Sequence, residues 1–365
     1  MDLDEKTRSK ETQGSSTSQD QTTVKQEQKK SATAEELQQT RLRAHEHLDA
    51  HRWAQAGETF LKLLDHDAKD EDALLGVAVA LDAIGRYESL FSAAQTVLEC
   101  NPNSAQGLAY KARALQKLER LSEATIANDQ ALLLDTNLPL AWINRSGLQL
   151  LQQKFPEALR SSQRATELAP DDVRAWANKG VALLNFNHLT EALAALDRSL
   201  AIDPEYLFSL QMKGDILCKL GRMREAIPVI RQALLIQPNN VGILTQGIHA
   251  LRALEQYNAL KELSRELIKL TPDSLFAWEN HMRGLRGMGQ YEEALPAIDR
   301  VLELDPSNVR FWTIKADTLY RLERYREAAK VAERAVRLHT DYPPARRIRE
   351  KAVRMMYQKK DKRKS

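Results

Sequence analysis

Proline recurs along this chain at a spacing of 34 residues. Six of the twelve prolines lie on one register of that spacing: Pro102, Pro170, Pro204, Pro238, Pro272 and Pro306. Four of the five tryptophans keep the same register, each six residues after a grid point: Trp142, Trp176, Trp278 and Trp312. Two residue types that share one period over most of the chain indicate an internal repeat, and they argue against two or three unrelated globular domains.

Small and aliphatic residues fill further columns of the same grid. In most repeats a Trp or Leu, a small residue and a Leu follow one another at spacings of four and three, which places them on one face of a helix. A second helix carries alanine at a fixed position, and Gly85, Gly221 and Gly289 mark the turn between the two helices. With only 14 Gly and 12 Pro, the chain lacks the turns that an all-β fold needs. Each unit is therefore predicted to be a pair of helices.

The segment 175–183 (Ala-Trp-Ala-Asn-Lys-Gly-Val-Ala-Leu), together with Glu191-Ala192, Leu196 and Asp203-Pro204, resembles the consensus of the tetratricopeptide repeat family. The resemblance covers residues 37–342 as nine units of 34. It implies an all-α fold, a right-handed α-solenoid (superhelix) of helix-turn-helix repeats, because a single helix pair cannot bury its apolar face alone.

Three units depart from the consensus. The first unit has a polar first helix, which is typical of a degenerate capping repeat. The unit at 71–104 has Leu90 where alanine is expected, and the unit at 241–274 has Gly242, Ile248 and Leu260 at unusual positions. We expect the packing or the curvature of this last unit to differ from that of its neighbours.

The two ends differ from the repeats in composition. Residues 1–34 are polar and almost free of aliphatic side chains, so we expect disorder there. After Pro343-Pro344, residues 345–358 are predicted to form a capping helix, and 359–365 a basic tail. Residues 343–365 hold 10 basic and 2 acidic residues, a net charge of +8, whereas residues 1–342 have a net charge of −5. The overall charge of +3 therefore combines a mildly acidic body with a basic C-terminus.

Composition also bears on compartment and chemistry. Two cysteines in 365 residues form no disulfide framework, and no apolar run approaches the roughly 20 residues of a membrane span. We therefore expect a cytoplasmic protein. His47 and His51 are four residues apart and could hold a metal, but solvated histidines on a capping helix are the favoured interpretation. Since no catalytic constellation is found, the sequence predicts no enzyme, no cofactor and no metal.

Two adjacent columns of the first helices are candidates for partner binding. The amide column consists of Tyr110, Asn144, Asn178, Gln246 and Asn280, and the basic column of Lys111, Arg145, Lys179, Lys213 and Lys315. Arg113, Arg252, Arg283 and Arg286 extend the basic set. Amides can donate to and accept from a peptide backbone, and cations can steer acidic partners. For the basic column, a structural role is the favoured alternative, since a lysine stem can pack while its ammonium reaches water.

The family resemblance implies a function for these columns. First helices in this family line a concave surface, and the amide column is similar to the asparagine ladder of O-linked N-acetylglucosamine transferases. The position after the Trp/Leu column holds no lysine, which disfavours the carboxylate clamp of chaperone-binding members. The sequence thus predicts a protein-interaction scaffold that binds an extended peptide or helix of a partner. Nucleic-acid or ribonucleoprotein binding through the basic C-terminus is the alternative.

Overall fold

The chain folds into consecutive antiparallel helix pairs. In the computed structural model the described residues are 34–361, with side chains described to residue 358. Except for residue 34, the segment predicted to be disordered lies outside the described residues, and so do the side chains of the predicted basic tail. Within the described range the protein is all-α and divides after Ala182 into two compact units, which we call the first and the second unit.

The first unit holds the helices that begin before residue 182. These are α1 (34–49), α2 (Trp53–Leu64), α3 (Glu71–Ile84), α4 (Tyr87–Cys100), α5 (Ala105–Lys117), α6 (Leu121–Leu134), α7 (Pro139–Leu151), α8 (Phe155–Leu168) and α9 (Val173–Asn185). The last of these, α9, spans the boundary between the units. Odd-numbered helices are the first helices of the repeats, and even-numbered ones are the second helices.

The second unit continues the same alternation. Its helices are α10 (Leu189–Ile202), α11 (Leu207–Lys219), α12 (Met223–Ile236), α13 (Val241–Ala253), α14 (Tyr257–Leu270), α15 (Leu275–Gly287), α16 (Tyr291–Leu304), α17 (Val309–Arg321), α18 (Tyr325–Leu338) and α19 (Pro343–Asp361). None of the described helices combines the length and the apolar character that crossing a membrane requires.

The turn inside each helix pair contains one left-handed residue. In the described turns these residues recur every 34 positions: His51, Gly85, Glu119, Gln153, Asn187, Gly221, Glu255, Gly289 and Glu323. After such a residue the chain can close a helix end, as where Arg86 N donates to Leu81 O at 2.9 Å. The conformation is retained even where the residue is not glycine, so the geometry of the turn is imposed by the packed repeat.

The proline and tryptophan columns are physically coupled. The indole N–H of Trp176 donates to the carbonyl of Pro170 at 2.8 Å, and Trp142, Trp278 and Trp312 make the same bond to the grid residue six positions earlier. Proline ends the preceding helix, and its free carbonyl accepts the bond. The side chain of Asn240 accepts from Ile243 N and so caps α13.

The small residues mark the places where helices meet. Alanines of the second-helix column, such as Ala124, Ala192 and Ala328, are fully buried. In the unit at 241–274, Ile248 and Leu260 are also fully buried and belong to one core cluster. A Cβ at Gly247 would lie 2.5 Å from Leu263 Cδ2, so a larger residue there would displace the end of that leucine side chain. Two of the unusual residues of this repeat, Ile248 and Leu260, thus form part of its core.

The final helix is longer than predicted. It begins at Pro343, two residues before the expected start, because proline is tolerated in a first turn whose N–H groups have no helical acceptor. It continues to Asp361, past the expected end at 358. Ile348 packs against the α17 and α18 core, and Ala352 joins the cluster of Leu319. This helix covers the last repeat.

Candidate functional site

The basic column packs against the preceding repeat. Three members pair with an aspartate sixteen residues earlier in the chain: Lys213 with Asp197 at 2.6 Å, Arg145 with Asp129 at 3.9 Å, and Lys315 with Asp299. In each pair the aspartate lies on the second helix of one repeat and the cation on the first helix of the next. These contacts link consecutive helix pairs.

The same column also stacks on the tryptophans. Lys179 Nζ lies 5.0 Å from the centre of the Trp176 ring, and Arg145 and Lys315 lie 5.6 and 6.0 Å from Trp142 and Trp312. A cation over an indole face is attracted by the negative potential of the ring. Since the indole is fixed by its bond to the grid carbonyl, the ammonium or guanidinium is held beside it. Lys111 is half-buried on α5.

The amide column bridges first helices rather than facing open space. Asn144 is buried, and its Nδ2 donates to Ala109 O at 2.8 Å. Asn178 Nδ2 donates to Ile143 O at 3.1 Å and to Ser146 Oγ at 2.8 Å. These amides were expected to grip a partner's backbone. In this conformation they instead satisfy carbonyls of the preceding repeat, because a buried donor needs an acceptor within the fold.

The remaining predicted residues of the second unit also lie on first helices. Asn280 is buried and donates to Phe276 O at 2.8 Å, and Gln246 is half-buried on α13, where its buried Oε1 has no hydrogen-bond partner among the described residues. Arg283 Nη2 lies 3.4 Å from Glu279 Oε1, one helical turn earlier. Asn280 and Arg283 therefore bond within α15, whereas Asn144, Asn178, Arg145, Lys213 and Lys315 contact the preceding repeat.

The histidine pair of the first repeat is separated by a helix end. His51 has a positive φ in the turn that follows α1, whereas His47 accepts a hydrogen bond from Arg52 Nε at 2.9 Å through Nδ1. Among the described residues, no three His, Cys, Asp or Glu side chains are grouped so as to hold a metal ion.

A cluster of charged side chains lies within the first unit. Asp82 of α3 accepts from Arg113 Nε and from Arg174 Nη1, both at 2.9 Å. Arg174 in turn donates Nη2 to Asp172 Oδ2 at 2.9 Å. We call Asp82, Tyr110, Arg113, Asp172 and Arg174 the first-unit ion cluster. It joins side chains 92 residues apart in the chain, and all four charged members are less than one quarter exposed.

Burial and charge set the ionisation of this cluster. Burial raises the pKa of Tyr110 to about 12, and the carboxylate of Asp82 adds to the rise. Burial opposes ionisation of Asp172, but the Arg174 guanidinium outweighs it and holds the pKa of that carboxyl below its ordinary value. Burial alone would lower the pKa of Arg174; Asp172 and Asp82 raise it instead. Two of the predicted binding residues, Tyr110 and Arg113, thus belong to an internal charge network.

The first helices near the C-terminal end of the second unit leave a cavity of about 390 Å³. We call it the second-unit cavity; it lies between α15, α17 and α19. Its charged lining consists of Arg286, Arg310, Asp317, Arg347 and Lys351, four cations and one carboxylate. An open space with convergent charged groups is the kind of feature that binds a ligand or a partner side chain.

Comparison with known protein families fits the repeat geometry. Residues 41–105, 148–206 and 281–343 match one family model of the tetratricopeptide repeat, and residues 209–240 match a second. The first model alone covers half of the chain. The chain belongs to the tetratricopeptide repeat family. Tetratricopeptide repeat proteins generally mediate protein–protein interactions.

The chain is similar to several solved structures at low sequence identity. Pseudomonas aeruginosa pilF is 22% identical, with a TM-score of 0.50 over 58% of this chain and 98% of its own. YrrB, described as having an unusual peptide-binding site, is 22% identical, with a TM-score of 0.36 over 52% and 98%. Cut9–Hcn1 of the APC/C is 14% identical, with a TM-score of 0.46 over 84% and 60%. No curated protein matches the chain.

Of the cations that line the cavity, the sequence-based candidates include Arg286 but not Arg310, Arg347 or Lys351. Arg310 lies on α17, which also carries the candidate Lys315, whereas Arg347 and Lys351 lie on α19, from which no candidate was taken. No single column signals them, because Arg310, Arg347 and Lys351 lie four, seven and eleven residues after their grid points at 306 and 340. A single repeat also does not show which first-helix positions meet the next repeat and which stay open.

Proposed function

We propose that this protein is a non-enzymatic interaction scaffold that binds an extended peptide or a helix of a partner along its first helices. Membership of the tetratricopeptide repeat family supports the general role. The observation that carries the specific proposal is the second-unit cavity, because the chain's own side chains leave this space between three consecutive first helices open.

The predicted columns contribute to this function indirectly. Asn144 and Asn178 fix the spacing of consecutive first helices, and Lys213 and Lys315 fix each first helix against the preceding second helix. A rigid array of this kind presents open positions at a constant interval, which lowers the entropy lost when an extended partner binds.

Filling the cavity tests the proposal. Thr313 lines the cavity on α17, and its hydroxyl donates to Val309 O at 2.8 Å. Thr245 occupies the same position of α13, with the same bond to Val241 O at 2.7 Å, and supplies a matched control. Affinity purification with mass spectrometry should show that Thr313→Trp loses protein partners that Thr245→Trp retains, with both variants melting at the temperature of the parent.

Two results would count against the scaffold proposal. If the two tryptophan variants retain the same complete set of proteins, the cavity is not where partners bind. If nuclease treatment of the parent removes the same proteins that Thr313→Trp loses, nucleic-acid binding replaces the scaffold proposal.

A further inference from the structure

The charges around the second-unit cavity are not balanced. Asp317 is its only carboxylate, and this group already accepts from Arg286 at 2.7 Å and from Arg321 at 3.0 Å. Arg310 reaches Glu279, outside the lining, at 3.0 Å. The cavity wall therefore holds more guanidinium and ammonium groups than its own carboxylate can neutralise.

Two cations on α19 carry this excess. Within the part of the chain that the structure describes, Arg347 and Lys351 form no ion pair, and they lie one helical turn apart on the cavity side of the helix. Their neighbours on other sides of the same helix are paired: Arg346 with Asp341 at 2.7 Å and Arg349 with Glu333 at 3.0 Å. The unpaired cations thus coincide with the open space.

Arg286 reinforces the demand for negative charge. Its Nε is buried and has no hydrogen-bond acceptor among the described residues. Burial lowers the pKa of this guanidinium, and the attraction of Asp317 offsets only part of that effect. A further carboxylate in the cavity would stabilise the charged form of Arg286 through Coulombic attraction, in addition to meeting Arg347 and Lys351.

The walls also limit what can enter. Ile314, Pro344 and Ile348 supply an apolar surface beside the cations. A phosphate backbone needs a continuous basic track, which Glu279 and Asp317 interrupt on the neighbouring helices. An acidic side chain followed by an aliphatic one would use both kinds of wall.

From these observations, and resting on the proposed scaffold function, we infer that the second-unit cavity binds an acidic, partly aliphatic peptide segment of a partner protein. The carboxylates of that segment contact Arg310, Arg347 and Lys351, and an aliphatic side chain packs on Ile314 and Ile348. The cavity would therefore recognise the alternating acidic and aliphatic side chains of the partner, in addition to its backbone.

Fluorescence anisotropy with a labelled peptide of alternating Glu and Leu tests this inference on the full chain. The double variant Arg347→Glu with Lys351→Glu should weaken binding by roughly tenfold or more, because each substitution replaces attraction by repulsion. The control is the variant with Arg346→Glu and Arg349→Glu, which changes the net charge equally on the same helix but away from the cavity. We expect it to retain binding within roughly twofold.

Other probes separate this inference from the scaffold proposal. A peptide with Gln in place of Glu should bind at least roughly tenfold more weakly than the acidic one. If the Gln peptide binds the parent as tightly as the acidic peptide does, but binds the Thr313→Trp variant more weakly, the scaffold proposal stands and the acidic specificity is wrong. If both double variants weaken binding alike, the attraction is general rather than local. If single-stranded RNA binds more tightly than the peptide and depends on Arg347 and Lys351, the ligand is nucleic acid, and the inference is overturned.

Discussion

The first-unit ion cluster and the second-unit cavity are both formed by side chains on or next to first helices, but their charges are satisfied differently. In the cluster, Asp82 and Asp172 meet Arg113 and Arg174 directly, and the groups are largely withdrawn from water. In the cavity, a single carboxylate serves several cations beside open space. The comparison shows that first helices carry charges that are satisfied internally in one place and left facing open space in another, and we propose the second place for a partner.

The largest effect should come from breaking the cluster at its shared acceptor. Asp82→Ala leaves Arg113 and Arg174 partly buried without their common carboxylate, which should lower the free energy of unfolding by about 3 kcal/mol. Chemical denaturation measures this change. Asp317→Ala is the matched substitution in the cavity, and its more exposed ion pairs should make the loss about 1 kcal/mol. Equal losses would remove the distinction between the two regions.

The ionisation of Tyr110 is the next test of the cluster. Its folded pKa of about 12 lies above the ordinary value near 10, so the neutral phenol is favoured by folding. The associated stability is fully present below about pH 10 and is lost as the pH rises towards 12, a difference of about 2 kcal/mol. Denaturation of the parent and of Tyr110→Phe across this range should show a steeper loss in the parent. Parallel curves would mean that the phenol is exposed.

Removing the cavity cations should change stability little and in the opposite direction. Arg347→Ala with Lys351→Ala relieves repulsion among unpaired cations, so the unfolding free energy should stay within about 0.5 kcal/mol of the parent or rise slightly at low salt. Denaturation at low and high ionic strength provides the measurement. A clear destabilisation would show that these side chains stabilise the folded protein and would contradict their role in binding a partner.

The smallest effect is expected in the basic column. Lys213→Met retains much of the packing stem and loses a pair with the exposed Asp197, so the unfolding free energy should fall by less than about 0.5 kcal/mol. Anisotropy with the acidic peptide should also remain unchanged. A marked loss of peptide binding by this variant would show that the basic column contacts the partner.

Much of the fold follows from the sequence because the repeat imposes it. The Trp–Pro spacing predicts the helix pairs, and the indole-to-carbonyl bond of Trp176 supplies the physical reason. Only the glycines, such as Gly85, reveal the left-handed turns; at Glu119 and Gln153 the same conformation is enforced by packing and leaves no mark in the sequence.

The candidate site was predictable only in part. The sequence predicts a site on the first helices, but it does not show that Asn144 is buried with its amide donating to the carbonyl of Ala109, because this contact depends on the step between repeats. Arg174 and Asp82 form an ion pair although they are 92 residues apart in the chain. Because this separation is not a multiple of the 34-residue repeat, the repeat pattern does not predict the contact. Which positions stay open is decided by three-dimensional packing that one repeat does not encode.

Hydrogen-exchange mass spectrometry of the full chain with and without the acidic peptide tests the central claim most directly. The account predicts that the peptide slows exchange in α17 and α19, which flank the second-unit cavity, and leaves α3 and α5 of the first-unit ion cluster unchanged. Protection centred on α3 and α5, with none in α17 and α19, would contradict it.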